Sequence, residues 1–229
     1  KHVIRQGLRE GERNLQCSEM QSRAHELITA TVVSVDHERG NIVLDLGKGG
    51  SAVLPRNEQV PGESFNEGDT VQVYVVDVLA TDRGPRVTIS RTHPGLVKRM
   101  FELEVPEIYD GTVEIKAIAR EAGARTKLAV WSKNPDVDPV GACIGARGVR
   151  VEKIVQELNG EKIDVIRWSE DITEFISAAL SPAKVVKVEL LPGETKSCRV
   201  TVPDHQLSLA IGNKGQNVRL CAHLTGYNI

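Results

Sequence analysis

Two Gly-x-x-Gly stretches lie 67 residues apart in this 229-residue chain: Cys143-Ile144-Gly145-Ala146-Arg147-Gly148 and Ala210-Ile211-Gly212-Asn213-Lys214-Gly215. The match continues downstream, where Leu158-Asn159-Gly160 before Ile163 corresponds to Leu224-Thr225-Gly226 before Ile229 at an offset of 66. Repeated spacing of this kind predicts two copies of one supersecondary unit.

Each copy also extends upstream, through a pair of β-rich stretches that follow a helical pattern. Each unit is therefore predicted as helix, strand, strand, helix, Gly-x-x-Gly, helix and strand. The join between the copies, residues 167–171, has no Gly/Ser spacer, so the two units are expected to pack as one body. The predicted upstream elements are Gly95–Leu103, Gly111–Ala119 and Lys127–Trp131 in the first copy, and Asp171–Leu180, Lys184–Leu191 and Cys198–Val202 in the second.

The two loops have the chemistry of a phosphate site. Glycines allow a tight turn between helices and close approach of another backbone. The helix that follows begins with unpaired N–H groups and a partial positive charge. A cation lies between the glycines of each loop, Arg147 and Lys214, and further cations follow at Arg150, Lys153 and Arg219. Neither loop is a nucleotide-triphosphate loop, which needs Gly-x-x-x-x-Gly-Lys-Ser/Thr after a strand. A single copy would be read as a close-packed turn.

Residues 26–91 have a different pattern, predicting an all-β domain. Five short strands are expected at Leu27–Val35, Ile42–Leu46, Ser51–Leu54, Thr70–Leu79 and Arg86–Ser90, with turn signals between them. This number and spacing are typical of an OB barrel, and another small β barrel is the alternative. Residues 1–24 predict a polar helix with a thin apolar stripe.

The composition at first argues against nucleic acid, because the formal net charge is -2 and aromatic residues make up 3% of the chain. The acidic excess, however, lies in residues 25–92, and the repeated units are neutral with cations at their loops. No apolar run has the length of a membrane span, and no secretory signal opens the chain. Because the chain starts at Lys1, we expect a fragment of a longer protein.

No catalytic, metal or cofactor site is predicted. The four cysteines form no CxxC pair and the six histidines have no metal-ligand spacing, which fits a reducing, cytoplasmic setting. Asp136 and Asp138 resemble a carboxylate pair but are better explained as loop and helix N-cap residues. Trp131 and Trp168 each close a predicted strand, where structural anchoring is expected and contact of Trp168 with a base is the alternative.

The repeated units resemble KH domains of the prokaryotic αββααβ type, in which the Gly-x-x-Gly loop holds the backbone of about four nucleotides of single-stranded RNA. Bases then lie in an apolar groove between helices and strand, which needs no stacking aromatic residues. Carried onto this sequence, the resemblance implies RNA-binding residues at Ile144, Gly145, Ala146, Arg147, Gly148, Arg150, Lys153, Ile163, Asp164, Val165 and Ile166 in the first copy, and at Ile211, Gly212, Asn213, Lys214, Gly215, Asn217, Arg219, Tyr227, Asn228 and Ile229 in the second.

The order of barrel and two KH units, together with the stretches at residues 104–111, 138–145 and 211–220, closely resembles the NusA family of bacterial transcription factors. The resemblance implies a multidomain, non-enzymatic RNA-binding region that captures the nascent transcript in elongation, pausing, termination and antitermination. It further implies contact with RNA polymerase mainly through an amino-terminal domain absent here, and with other antitermination factors, but not with membranes. The implied domains are residues 1–24 (end of a helical linker), 25–92 (OB barrel), 93–168 (first KH domain) and 169–229 (second KH domain).

The barrel resembles the RNA-binding barrel of ribosomal protein S-one but departs from it at residues 36–41, where the usual aromatic pair is missing. Arg83, Arg86, Arg91 and His93 could supply a basic edge, and a solvated surface or a spacer or protein-contact module is the alternative. Two other functions stay open: the RNA-targeting module of an exoribonuclease, which usually has one KH domain before the barrel, and a protein-interaction scaffold with purely structural loops.

Overall fold

The computed structural model describes residues 2–229, so Lys1 of the predicted first helix lies outside the described residues. The chain forms two compact units, one ending at Arg99 and the other running from Met100 to Ile229. The boundary falls within a single helix, Pro94–Glu104.

The first unit contains a five-stranded antiparallel sheet in the order β3-β2-β1-β4-β5. Apolar side chains alternate along the strands, and Ile28, Ala30 and Val32 of β1 point into the barrel core. The predicted strands and the OB barrel are confirmed. Strand bounds are Leu27–Val35 (β1), Ile42–Asp45 (β2), Ser51–Leu54 (β3), Thr70–Thr81 (β4) and Gly84–Ser90 (β5).

Helix α1, His2–Gln21, precedes the barrel and confirms the predicted polar helix. Only its last turns are buried, through Cys17 and Met20, and Met20 belongs to the barrel core. Val3, Ile4, Leu8 and Leu15, the predicted apolar stripe, are 61–81% exposed. Helix α1 therefore packs against the barrel through its carboxyl end and not through its apolar stripe.

The first KH unit has helices on a three-stranded sheet in the order β6-β7-β8, with β6 antiparallel and β8 parallel to β7. A short helix that the sequence did not predict, α3, begins at Pro106, a residue suited to the first helical position. Element bounds are Pro94–Glu104 (α2), Pro106–Tyr109 (α3), Val113–Glu121 (β6), Arg125–Ser132 (β7), Pro139–Ile144 (α4), Val149–Glu157 (α5) and Lys162–Arg167 (β8).

Within the described residues, the second KH unit repeats this order with two differences: no helix corresponds to α3, and the closing strand is shortened. The expected closing strand at residues 227–229 is wrong, since it is reduced to one isolated parallel bridge between Ser197 and Asn228. Two backbone hydrogen bonds hold it, from Cys198 to Asn228 and from Asn228 to Lys196, which is too little for a ladder. Element bounds are Ile172–Ala179 (α6), Lys187–Leu191 (β9), Ser197–Thr201 (β10), Leu207–Ile211 (α7) and Gln216–Thr225 (α8).

The two KH units share one hydrophobic core. Each strand of the sheet in the first KH unit contributes one residue to this core: Ala119, Ala129 and Ile166. They pack with Ile176 of α6 and Leu220 of α8, among others. The buried Lys127 ammonium adds a polar link, donating to the Ser181 carbonyl at 2.7 Å and to Asp164 at 2.9 Å. The copies therefore form a single compact unit, as the short join predicts.

Candidate nucleic-acid interface

The two Gly-x-x-Gly loops have the same backbone conformation. Gly145 has φ 77° and ψ 171°, and Gly212 has φ 80° and ψ 170°. Gly148 and Gly215, at φ 74° and 75°, lie in the left-handed region. The sequence repeat is therefore a repeat of local structure, which one tight turn occurring by chance would not produce.

The first glycine of each loop is required by the space around it. A Cβ on Gly145 would lie 2.7 Å from Cγ of Arg150, and a Cβ on Gly212 would lie 2.7 Å from the backbone nitrogen of Asn217. By contrast, nothing lies within 4 Å of a Cβ built on Gly148 or Gly215. The second glycine of each loop is therefore open to an approaching group, such as a phosphate.

Helices α5 and α8 begin at these open glycines. Their N-caps, Gly148 and Gly215, make no side-chain capping hydrogen bond. The N–H of the first helical residue is already bonded, from Val149 to the Ala146 carbonyl and from Gln216 to the Asn213 carbonyl, so what the helix start offers an anion is the partial positive charge of the helix dipole. The two sites differ in that α5 carries Glu152 in its first turn, whereas α8 has no acidic residue there.

The cations between the glycines are exposed and unpaired. Arg147 (φ 58°) and Lys214 (φ 53°) both occupy the left-handed region, which is unusual for non-glycine residues. Within residues 2–229, neither side chain forms an ion pair or a hydrogen bond. A left-handed backbone thus directs each cation away from the body of the protein.

Arg150 and Asn217 occupy equivalent positions and hold the loops from behind. Arg150 donates to the Ala142 carbonyl at 2.7 Å and to Glu107 at 2.9 Å. Asn217, only 3% exposed, donates to the carbonyls of Ala210 and Leu180. Both side chains therefore bind the last turn of the helix before the loop, and their direct role is to fix the loop.

The two remaining predicted cations are ion-paired. Lys153 lies 2.8 Å from Glu104, and this hydrogen bond raises the pKa of the Lys153 ammonium. Arg219 pairs with Glu121 of β6, and the pKa of Glu121 is lowered mainly by that hydrogen bond. Gln216 also donates to Glu121, at 3.0 Å, so one carboxylate of the first KH unit anchors the start of α8. The sequence repeat does not identify the glutamates that pair with these cations.

The predicted groove walls divide between surface and interior. Ile144, Ile163, Val165, Tyr227 and Ile229 are half-buried, whereas Ala146, Asn213 and Asn228 are exposed and Ile211 is 43% exposed. Ile166 is 2% exposed and belongs to the shared core.

Asp164 is held in place by two cations. Arg125 donates to it at 2.6 Å and Lys127 at 2.9 Å. Burial by itself raises the pKa of Asp164, but these hydrogen bonds and charges outweigh it and hold the pKa below its ordinary value. The carboxylate is therefore occupied within the protein.

Exposed apolar side chains beside the loops were missed from the sequence. Val149, directly after the first loop, is 64% exposed, and Leu207 and Leu209 of α7 are 53% and 43% exposed. Leu207 and Ile211 lie four residues apart and so share one face of α7, a spacing that could have identified them. Apolar surface of this kind is suited to contact with bases.

The described part of the chain has neither a membrane-spanning helix nor a cluster of metal-binding side chains. None of its helices is long and apolar enough to cross a membrane. Residues 2–229 also hold no group of three or more His, Cys, Asp or Glu side chains placed to bind a metal ion.

The barrel and both KH units each match the model of a known protein family. Residues 22–90 match the S1 RNA binding domain, residues 91–168 the NusA-like first KH domain, and residues 172–229 the NusA-like second KH domain. Over its whole length the chain is 47% identical to the transcription termination/antitermination protein NusA of Mycobacterium tuberculosis, of which it covers 67%. The chain belongs to the NusA family. The resemblance and the fold class expected from the sequence, an OB barrel followed by two KH domains, are thereby confirmed.

Other NusA proteins are closer in sequence. Identity is 54% to the protein of Halalkalibacterium halodurans and 52% to that of Bacillus subtilis, in each case over the whole of this chain. The chain spans 59% and 61% of the length of these two relatives.

Proposed function

We propose that this chain is the RNA-binding region of a NusA-type transcription factor and binds extended single-stranded RNA through both Gly-x-x-Gly loops. The observation that carries the proposal is the pair of loops with matching backbone, each with an open glycine and an unpaired cation, Arg147 or Lys214. The proposed site residues are those predicted from the sequence except Ile166, which is buried in the shared core, and Asp164, which is held by Arg125 and Lys127; Arg150 and Asn217 position the loops.

The loops supply the phosphate contacts in this proposal. Each offers the positive end of a helix dipole and one cation, and together these recognise a backbone phosphate without reading sequence. Bases then rest on aliphatic side chains such as Ile144, Val149 and Ile211, which explains how a chain with few aromatic residues binds RNA. Two modest sites in one compact unit gain affinity through effective concentration.

The role of the whole protein follows from its relatives. Those named above are termination/antitermination proteins, so we propose that the bound RNA is the nascent transcript and that the setting is the cytoplasm. RNA polymerase, contacted mainly by a domain outside this chain, and other antitermination factors are the proposed protein partners. The proposal assigns no catalytic step to this chain, and no observation favours the exoribonuclease or scaffold alternatives.

The test reverses the loop charges. The variant Ala146→Asp/Arg147→Asp/Asn213→Asp/Lys214→Asp places acidic residues in both loops, and Asp tolerates the left-handed conformation better than most residues. We expect affinity for a fluorescein-labelled single-stranded RNA, measured by anisotropy, to fall at least 100-fold, about 3 kcal/mol for two lost charged contacts.

The matched control is Arg147→Asn/Lys214→Asn, which keeps a tolerated backbone and removes the charges without reversing them. Its loss of affinity should be intermediate, and circular dichroism should show both variants folded. Unchanged RNA binding by the acidic variant would exclude the loops as the RNA site.

A further inference from the structure

The two tryptophans of the chain line one cavity in the compact unit that runs from Met100 to Ile229. Trp131, in β7, and Trp168, just after β8, have ring centroids 6.5 Å apart and planes at 82°. Both side chains are half-buried and line a cavity of about 360 Å³. This volume falls within the range of small-molecule sites, and no role in the Gly-x-x-Gly loops accounts for it.

A partly exposed ion pair and the shared core orient the indoles. The Lys116 ammonium lies 4.7 Å from the centroid of Trp131 and 5.1 Å from that of Trp168, and Glu114 holds it at 3.1 Å. Trp168 also packs against the core that the two KH units share. The indoles are therefore fixed before any ligand binds, which lowers the entropic cost of stacking on them.

The charges around the cavity are separated. Arg167, at the end of β8, is exposed and its side chain has no hydrogen bond or ion pair in the described part of the chain. The opposite wall carries Glu170 and Glu174, and Glu174 accepts from Ser169 at 3.0 Å. The cavity thus offers aromatic surface, a free cation on one side and carboxylate acceptors on the other.

A nucleotide has the complementary groups. Its base stacks on aromatic side chains, its phosphate needs a cation, and the exocyclic amino groups of bases donate to carboxylates. The carboxylates exclude the phosphate from their wall, so it must lie towards Arg167. Strand β8 carries Ile163 and Val165 of the predicted RNA groove and ends at Arg167, which Trp168 follows, so the groove residues and the cavity residues lie along one strand.

We propose that this tryptophan pocket (Trp131, Arg167, Trp168, Ser169, Glu170 and Glu174) holds one nucleotide of the bound single-stranded RNA, with the base against the indoles and the phosphate on Arg167. The proposal rests on the proposed function and adds to it a stacking subsite outside both loops. It also assigns a role to the only two tryptophans in the chain.

Intrinsic fluorescence tests the pocket directly, because all tryptophan emission of the 229-residue chain comes from it. A single-stranded RNA labelled with fluorescein is titrated for anisotropy, and the same RNA without label is titrated for tryptophan emission. We expect quenching that saturates at the same RNA concentration as the anisotropy. The variants Trp131→Phe and Trp168→Phe, which keep an aromatic ring, should each retain quenching of the other indole.

Affinity provides the second measurement. Arg167→Glu alters an exposed residue, so the fold is retained, and we expect RNA affinity to fall roughly tenfold for the loss of one charged contact. Its matched control is Lys184→Glu, which makes the same charge change at an exposed residue outside the pocket and should stay within about twofold.

The outcomes separate the pocket from the loops. RNA binding by anisotropy without any change in tryptophan emission, and with Arg167→Glu equal to Lys184→Glu, would overturn the pocket and leave the loop proposal intact. Absence of RNA binding altogether would overturn both. Emission that responds to an arginine-rich peptide but not to RNA would show a protein ligand instead, and would also overturn this assignment.

Discussion

At the residue scale, the two glycines of a loop serve different purposes, and their substitutions should differ in cost. Gly212 has a backbone conformation almost exclusive to glycine, and a Cβ there would meet a backbone atom at 2.7 Å. At Gly215 a substitution would meet no neighbouring atom, and its only cost is the left-handed φ that a non-glycine residue would have to adopt. We expect Gly212→Ala to lower the free energy of unfolding by about 3 kcal/mol, and Gly215→Ala by about 1 kcal/mol.

Urea unfolding of both variants measures this difference. The first loop supplies the internal comparison, because a Cβ on Gly145 meets the side chain of Arg150 and not a backbone atom. Gly145→Ala should therefore fall between the other two variants. Equal costs for Gly212→Ala and Gly215→Ala would contradict the steric argument.

The sequence gives the loop residues but not their partners. Arg147 and Lys214 could be identified because they lie inside a repeated motif. The anchoring roles of Arg150 and Asn217 could not, since they depend on carbonyls of the preceding helix and on Glu107 of α3. A short helix that begins at a proline leaves little periodicity from which such a partner could be predicted.

At the element scale, the parallel pairing of β7 with β8 is reinforced by Asp164 between Arg125 and Lys127. Removing the negative charge leaves the buried Lys127, whose pKa is already lowered by burial, without an anionic partner. We expect Asp164→Asn to cost about 3 kcal/mol of unfolding free energy at pH 7. Asp136→Asn, in an exposed loop, should cost less than about 0.5 kcal/mol.

The cost of Asp164→Asn should depend on pH. The pKa of Asp164 is held below its unfolded value of 3.8, so its contribution is complete above about pH 4 and is lost as the pH falls through the folded pKa. Urea unfolding of wild type and variant at pH 7 and pH 3 measures the change. A difference in stability that does not shrink at pH 3 would exclude the ionised carboxylate as its source.

Helix α1 gives a second test at this scale. Met20 is 1% exposed and packs in the barrel core, whereas Leu8, in the thin apolar stripe of α1, is 65% exposed. Met20→Ala should lower the free energy of unfolding by about 3 kcal/mol, and Leu8→Ala by less than about 0.5 kcal/mol. Thermal and urea unfolding provide the comparison, and similar values for the two variants would mean that α1 docks through its stripe.

At the scale of the whole molecule, the domain order was predictable because each domain has its own local pattern. The barrel shows alternation between turn signals, and the KH units show an internal repeat. What could not be predicted depends on contacts between the copies. The shared core, the link from Lys127 to Ser181 and the pairing of Arg219 with Glu121 join residues from 54 to 98 positions apart, and no local pattern records them.

The number of free cations on the proposed RNA path determines how strongly binding depends on salt. Salt dependence follows the number of phosphates neutralised, with a slope of about -0.7 for each on a single strand. Arg147, Lys214 and Arg167 are the free cations of the proposed path, so log affinity against log salt should have a slope of about -2. Arg150, Lys153 and Arg219 add little, because Glu107, Glu104 and Glu121 already pair with them. Arg167→Glu should bring the slope to about -1.4, and Arg147→Asn/Lys214→Asn to about -0.7. A slope several times steeper in the wild-type chain would mean that RNA breaks these ion pairs or reaches other cations.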